Sequence, residues 1–150
     1  MAIARGAGTE IIRSAHFEEV DDTSQILIYG AQHHIYTVLS IVIMAYAKSA
    51  VGNKLYLYLQ GYDSKAGTTN TTHRIFEEVM SVKSTFVWND KFSFNGCEPT
   101  NFTGPMNDAT KQDAIADQGN NLAPQYLYIS SDNAADDYDV HITYIDQNNA

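Results

Sequence analysis

Five histidines, one cysteine and a run of acidic residues near the carboxyl end are the side chains most able to do chemistry in this 150-residue chain. His33 and His34 are adjacent, so a strand through both would send them to opposite faces. His16, His73 and His141 lie on separate segments; folding could gather some of them, but no spacing matches a metal motif, which needs several convergent groups. Structural or surface roles are therefore expected for the histidines, with no metal ligand and no cofactor. Cys97 is alone, which excludes an internal disulfide and disfavours a cysteine-based zinc site. Asp132, Asn133, Asp136, Asp137 and Asp139 could offer oxygen ligands to calcium, but the segment lacks EF-hand spacing and its closing acidic residue. A solvated hairpin turn is the expected role, because Asp and Asn are ordinary turn formers.

Catalytic signatures are missing. The sequence has no phosphate-binding glycine loop, no Gly-x-Ser-x-Gly elbow and no Cys–His nucleophile pattern. Adjacent carboxylates such as Glu18-Glu19 and Glu77-Glu78 are too common to signify acid–base work. Catalytic residues are accordingly expected to be none. Asn70-Thr71-Thr72 and Asn101-Phe102-Thr103 fit the glycosylation acceptor pattern, which matters only in a secretory pathway. The opening Met1-Ala2-Ile3-Ala4-Arg5-Gly6 lacks the apolar core of a signal peptide, and no stretch approaches about 18 uninterrupted apolar residues. A soluble chain without its own secretion signal or membrane span is the expectation.

The elements that would position these residues are strands. Lys54–Gln60 alternates cleanly, with Leu55, Leu57 and Leu59 on one face and Tyr56, Tyr58 and Gln60 on the other, the period of a half-buried strand. The leucines should enter the core, together with Leu127, Ile129, Val140 and Ile142 from two later strands. The tyrosines form an aromatic stripe, read as covered outer surface or cross-strand packing, with a ligand site as the alternative. His34–Tyr46 is apolar on both faces and rich in β-branched residues, which favours a central strand over a buried helix. Further strands are expected over Thr9–Glu19, Gln25–Tyr29, Thr72–Ser81, Gln125–Ser131 and Tyr138–Ile145, and over Ser84–Phe94 with a turn or bulge at Asn89-Asp90. In Thr72–Ser81 the inward face is ambiguous. Residues 1–8 read as a flexible arm, and the Gly- and Pro-rich 95–124 reads as a long loop with one helical turn near Ala109–Asp117. The expectation is a single all-β domain over 9–150, an antiparallel β-sandwich or jelly roll of roughly seven or eight strands.

Composition narrows the partners. Hydrophobic residues make up 44% of the chain and tyrosine alone contributes ten residues, so a packed core is expected. The formal net charge of −9 sets an acidic surface against phosphate and disfavours direct nucleic-acid binding.

Lys54–Gln60, the Thr85-Phe86-Val87-Trp88-Asn89-Asp90-Lys91 segment, Tyr126–Ser131 and the closing Tyr138–Asp146 follow a pattern of strand, polar turn and strand over a little more than half the chain. In this the chain resembles small β-sandwich virion structural proteins of tailed bacteriophages, of the capsid decoration, or cement, type. The arm before Thr9 and the 95–124 segment depart from the simplest form of that pattern. The resemblance implies a homo-oligomer, such as a trimer, on the outer surface of a capsid and bound to the major capsid protein or another virion protein, after synthesis in the host cytoplasm. It carries no catalytic residues. The alternative is a tail or fibre adhesion module that binds a receptor or carbohydrate; a jelly-roll enzyme with a metal held by separated histidines is a third class. Partner-binding residues are expected to be Ile3, Phe102, Met106, Ile115 and Leu122 from the arm and loop, with Tyr56 and Tyr58 from the aromatic stripe.

Overall fold

The computed structural model describes residues 9–63, 68–99 and 122–148. Within them the chain forms eleven strands: β1 (Thr9–Val20), β2 (Gln25–Tyr29), β3 (His34–Ala47), β4 (Lys54–Asp63), β5 (Thr68–Val79), β6 (Thr85–Trp88), β7 (Phe92–Asn95), β8 (Cys97–Pro99), β9 (Leu122–Pro124), β10 (Tyr126–Ser131) and β11 (Asp137–Asn148). All strand pairs are antiparallel. One sheet runs β1-β11-β3-β6, with β7 also on β3; a second runs β2-β10-β4-β5; β8 and β9 form a two-stranded ribbon. The expected all-β sandwich is thus the observed class. No helix among the described residues is long and apolar enough to cross a membrane.

The core lies between the two larger sheets. Val38, Ile41, Ile43 and Ile142 from the first pack with Leu55, Leu57, Leu127 and Ile129 from the second, all fully buried. Leu59, also expected in the core, is only partly buried against it. β3 is central, flanked by β11 on one side and β6 and β7 on the other. It satisfies an apolar pattern on both faces through a bulge: Thr143 pairs with Ser40 but Tyr144 with Val38, so Leu39 is the extra residue. That shift turns Tyr36 and Val38 inward before it and Ile41, Ile43 and Ala45 inward after it.

The strand count exceeds the sequence expectation of seven or eight for two local reasons. The Ser84–Phe94 segment is interrupted at 89–91 and yields two strands, β6 and β7, which pair with successive parts of β3. The expected loop at 95–124 begins and ends in paired strand: Cys97 lies opposite Pro124, and Pro99 opposite Leu122. Both prolines sit at strand ends, where a missing N–H is tolerated. Gly96, just before β8, needs its lack of a side chain, since a Cβ there would stand 1.9 Å from the Ala31 carbonyl oxygen. Its N–H donates to His34 O at 2.7 Å and its carbonyl accepts from Gln125 N–H at 2.8 Å, which ties the ribbon to the sandwich.

Two buried carboxylates hold the connections. Asp136 accepts from Ser49 N–H at 2.8 Å, the Ser49 hydroxyl at 3.1 Å and Asn53 Nδ2 at 3.1 Å, joining the β3–β4 turn to the β10–β11 turn. Asp136 is therefore buried rather than solvated as expected for this turn. Burial pulls its carboxyl upward, but the hydrogen bonds from Ser49, Asn53 and Ser131 outweigh that and hold it below the ordinary carboxylate value. Asp146 accepts from Arg13 Nε at 2.8 Å and meets His34 Nδ1 at 2.5 Å, linking β1, β11 and β3.

Candidate functional site: the tyrosine face of the four-stranded sheet

In the second sheet, the two central strands, β4 and β10, turn tyrosines away from the core. Along β4, Leu55 and Leu57 point inward, so Tyr56 and Tyr58 take the outer face. β10 repeats the arrangement with Leu127 and Ile129 inward and Tyr126 and Tyr128 outward. On β2, Tyr126 pairs with Tyr29 and Tyr128 with Ile26; Leu27 is the extra residue of a bulge, which lets Leu27 and Ile28 both turn inward. Tyr29 and Ile26 are consequently left on the surface, 60% and 38% exposed.

Strand register converts these positions into a continuous row. Tyr29 stacks on Tyr126 with ring centres 5.9 Å apart, Tyr126 meets Tyr128 at 5.7 Å, Tyr128 stacks on Tyr58 at 4.9 Å, and Tyr58 on Tyr56 at 5.8 Å. These separations fall within the range in which aromatic pairs attract beyond their buried area. Arg74 of β5 pairs with Tyr58 in register, and its guanidinium stands 5.4 Å from the Tyr56 ring centre and 5.6 Å from that of Tyr58, within cation–π range.

Polar groups at one end fix the row. Glu77 accepts from Arg74 at 2.8 Å and from Lys54 at 2.7 Å, and the Lys54 contact is the main reason its carboxyl lies below the ordinary range. Asp132 accepts from the Tyr56 hydroxyl at 2.7 Å and from Lys54 N–H at 2.8 Å. That hydrogen bond, aided by burial and by the Asp132 charge, pushes the Tyr56 hydroxyl up to about 12. Tyr128 is raised chiefly by burial. Both phenols therefore stay neutral at physiological pH, as hydrogen-bonding groups rather than bases. At the other end a depression of about 400 Å³ is lined by Ser24, Ile26, Tyr29, Gln60, Tyr126 and Tyr128. The arrangement suits flat contact with rings, apolar surface or hydrogen-bonding groups.

Of the expected partner-binding residues, the structure brings together Tyr56 and Tyr58. Ile3, Phe102, Met106 and Ile115 lie outside the described residues, as does the expected helical turn; Leu122 opens β9. Sequence reasoning did not assign Tyr29, Tyr126, Tyr128, Ile26 or Arg74 to a site. The alternation of Tyr126-Leu127-Tyr128-Ile129 carried the same signal as Lys54–Gln60, but nothing local announced that the two tyrosine pairs adjoin.

The other candidate groups are distributed. His33 precedes β3 in a turn, with a left-handed φ of 67°, so it does not oppose His34 across a strand. His73 is exposed on β5. His16 and His141, far apart in sequence, are direct partners across β1 and β11. Cys97 is buried in β8. Among the described residues no group of three or more His, Cys, Asp and Glu side chains is placed to hold a metal ion.

Fold and site together define a two-sheet antiparallel sandwich with a row of tyrosines on the outer face of one sheet. No protein-family model matches the chain, and no curated protein sequence matches it. Solved structures do. A chain from Bacillus endospore appendages, described as a novel family of disulfide-linked pili, is similar at 12% identity and a TM-score of 0.43, with 100% of this chain and 97% of that chain covered. A chain of infectious bursal disease virus, Gt strain, is similar at 13% identity and a TM-score of 0.43, with 99% of this chain and 34% of that chain covered. One from the T=1 particles derived from that virus gives 12% identity, a TM-score of 0.40 and coverage of 99% and 38%. This chain thus spans little more than a third of the viral chains' length.

Proposed function

We propose that this chain is a non-catalytic virion structural protein of the capsid-decoration type, and that the tyrosine face of its four-stranded sheet grips a neighbouring virion protein. The observation that carries this reading is the stacked row Tyr29–Tyr126–Tyr128–Tyr58–Tyr56 on the side of the sheet turned away from the core. The sandwich already buries the leucine and isoleucine face of the same strands, so the row is surplus to the monomer's own core. Rigid tyrosines that lose few rotamers on contact, with an arginine beside them, are the side chains that dominate protein–protein contacts. The net charge of −9 favours a protein neighbour over nucleic acid and suits the outside of a particle better than a surface facing packed phosphates. The major capsid protein is the partner this reading names, and self-association into a small symmetric cluster accompanies it.

Co-sedimentation with particles lacking this chain tests the reading. The wild-type protein should bind, and a Tyr58→Ala/Tyr128→Ala variant that unfolds at the same denaturant concentration should bind about tenfold or more weakly, the scale of one lost hot spot. Equal binding by the two proteins removes the tyrosine face from the function. A second reading, adhesion to carbohydrate from a tail or fibre, is favoured by the depression beside Tyr29 and Tyr126, where Ser24 and Gln60 set hydrogen-bonding groups against aromatic faces. Binding to arrayed glycans that Tyr126→Ala abolishes, without sedimentation on capsids, would select it.

A further inference from the structure

We infer that His16 and His141 form a surface chelate for a divalent transition metal of the copper or nickel class. The inference is independent of the proposed function and concerns the outer face of the other sheet. β1 and β11 place the two residues directly opposite each other, with Nδ1 atoms 2.8 Å apart and ring centres 4.4 Å apart at an interplanar angle of 31°. Metal–imidazole bonds are about 2.0–2.1 Å long, so one ion reaching both nitrogens would see them at close to a right angle. That is the angle between neighbouring ligands in square-planar and octahedral shells, which copper and nickel take, and it is narrower than zinc's tetrahedral angle.

The surroundings fit a ligand role. His141 Nε2 lies 3.2 Å from the Thr143 hydroxyl oxygen, so a proton on Nε2 can be donated there and the Nδ1 lone pair left for a metal, the outer contact that metal-binding histidines ordinarily possess. Thr143 is itself 3.4 Å from the Ser14 hydroxyl. The two histidines line an open surface depression whose lining also includes Glu18 and Asp139, so the acidic side chains there favour a cation over an anion. His16 is exposed, so water can complete the shell. With two protein ligands the ion would exchange readily: EDTA strips it, and micromolar metal restores it.

A clamp between residues separated by 125 positions that binds the folded chain alone must raise its stability. The test is thermal unfolding of the full untagged chain, first treated with EDTA and then titrated with nickel chloride, copper chloride or zinc chloride. The expected result is a saturable rise in Tm with copper and nickel and a smaller one with zinc. The rise should vanish in both His16→Ala and His141→Ala and persist in His73→Ala. Thr143→Val should weaken nickel binding about tenfold through the orientation of His141. No rise in the wild-type protein, a rise that survives His16→Ala, or tighter binding of zinc than of copper would overturn the assignment.

Discussion

Tyr138→Phe should stabilise this protein, although it deletes a polar group from the middle of a sheet. Tyr138 lies near the start of β11, between Ala45 of β3 and Val20 of β1, and its side chain is fully buried. Among the described residues its hydroxyl has no hydrogen-bond partner. A buried hydroxyl without a partner carries a desolvation penalty of about 1–3 kcal/mol, and phenylalanine keeps the ring packing while removing it. A gain of about 1 kcal/mol at pH 7 is therefore expected in reversible denaturant unfolding. Alkaline pH supplies a second readout. Burial, with smaller contributions from the Asp136 and Asp132 charges, pushes the phenol from 10.0 up to about 12. A raised value means that this group's contribution to stability is intact below the unfolded value and is lost as pH rises toward the folded one, because only the unfolded chain releases its proton in that window. The loss between pH 10 and 12 is at most about 3 kcal/mol, at about 1.4 kcal/mol per unit. Tyr36, Tyr56, Tyr128 and Tyr144 are raised as well, so the informative quantity is the difference between the two proteins. Tyr138→Phe should lose stability less steeply over that range. A variant destabilised by more than about 1 kcal/mol at pH 7, with an unchanged alkaline slope, would refute the reasoning, since it would mean that the hydroxyl is satisfied.

Leu57→Ala, at a fully buried position between the sheets, should lower unfolding free energy by about 2–5 kcal/mol, and Leu59→Ala, only partly buried, by clearly less; equal losses would mean that burial does not separate these two sites. Gly96→Ala should destabilise the fold and release the β8–β9 ribbon to hydrogen exchange, because the new Cβ would meet backbone at 1.9 Å; unchanged exchange at Cys97 would show that the junction gives way without consequence. Asp136→Asn should remove part of the acid sensitivity: the folded carboxyl is held below its ordinary value, so its stabilisation is present above about pH 4 and is lost as pH falls through the lower folded value. The variant should also lose about 1–3 kcal/mol at pH 7, and an unaltered acid limb in a pH series of unfolding curves would contradict the role given to the Ser49 and Asn53 hydrogen bonds.

Strands with an unbroken period of two were legible from the residues alone. Lys54–Gln60 and Tyr126–Ser131 alternate between bulky apolar and amphipathic side chains, so burying one face decides the orientation of every residue. Six of the seven expected core positions are fully or almost fully buried, and Leu59 falls short, lining an open depression with Ile75, Trp88 and Phe92. The three-residue strands β8 and β9 were not legible: Cys97-Glu98-Pro99 and Leu122-Ala123-Pro124 are too short to show a period and end in residues that ordinarily argue against strand. For the candidate site, Tyr56 and Tyr58 declared themselves through alternation. Arg74 did not, because its position beside Tyr58 follows from a register established only when β4 and β5 pair.

The inward face of Thr72–Ser81 was ambiguous for a reason that β2 shares, and it bears on the site. In β5, Leu57 pairs with Phe76 but Tyr58 with Arg74, so Ile75 is an extra residue, and Ile75 and Phe76 both pack against the core. In β2, Leu27 is extra and buried together with Ile28. A strict period of two would force one member of each adjacent apolar pair into solvent, and the bulge avoids that exposure at the expense of one ladder position. The same displacement sets what lies outward beyond it. Without the β2 bulge, Leu27 rather than Ile26 would stand next to Tyr128 once Tyr29 was aligned with Tyr126. Without the β5 bulge, Ile75 rather than Arg74 would face Tyr58. The cation beside the aromatic row is thus a consequence of how the core accommodates Ile75 and Phe76. An adjacent apolar pair inside an otherwise alternating strand is the sequence mark of such a shift, and it tells which neighbouring residues exchange faces before any pairing partner is known.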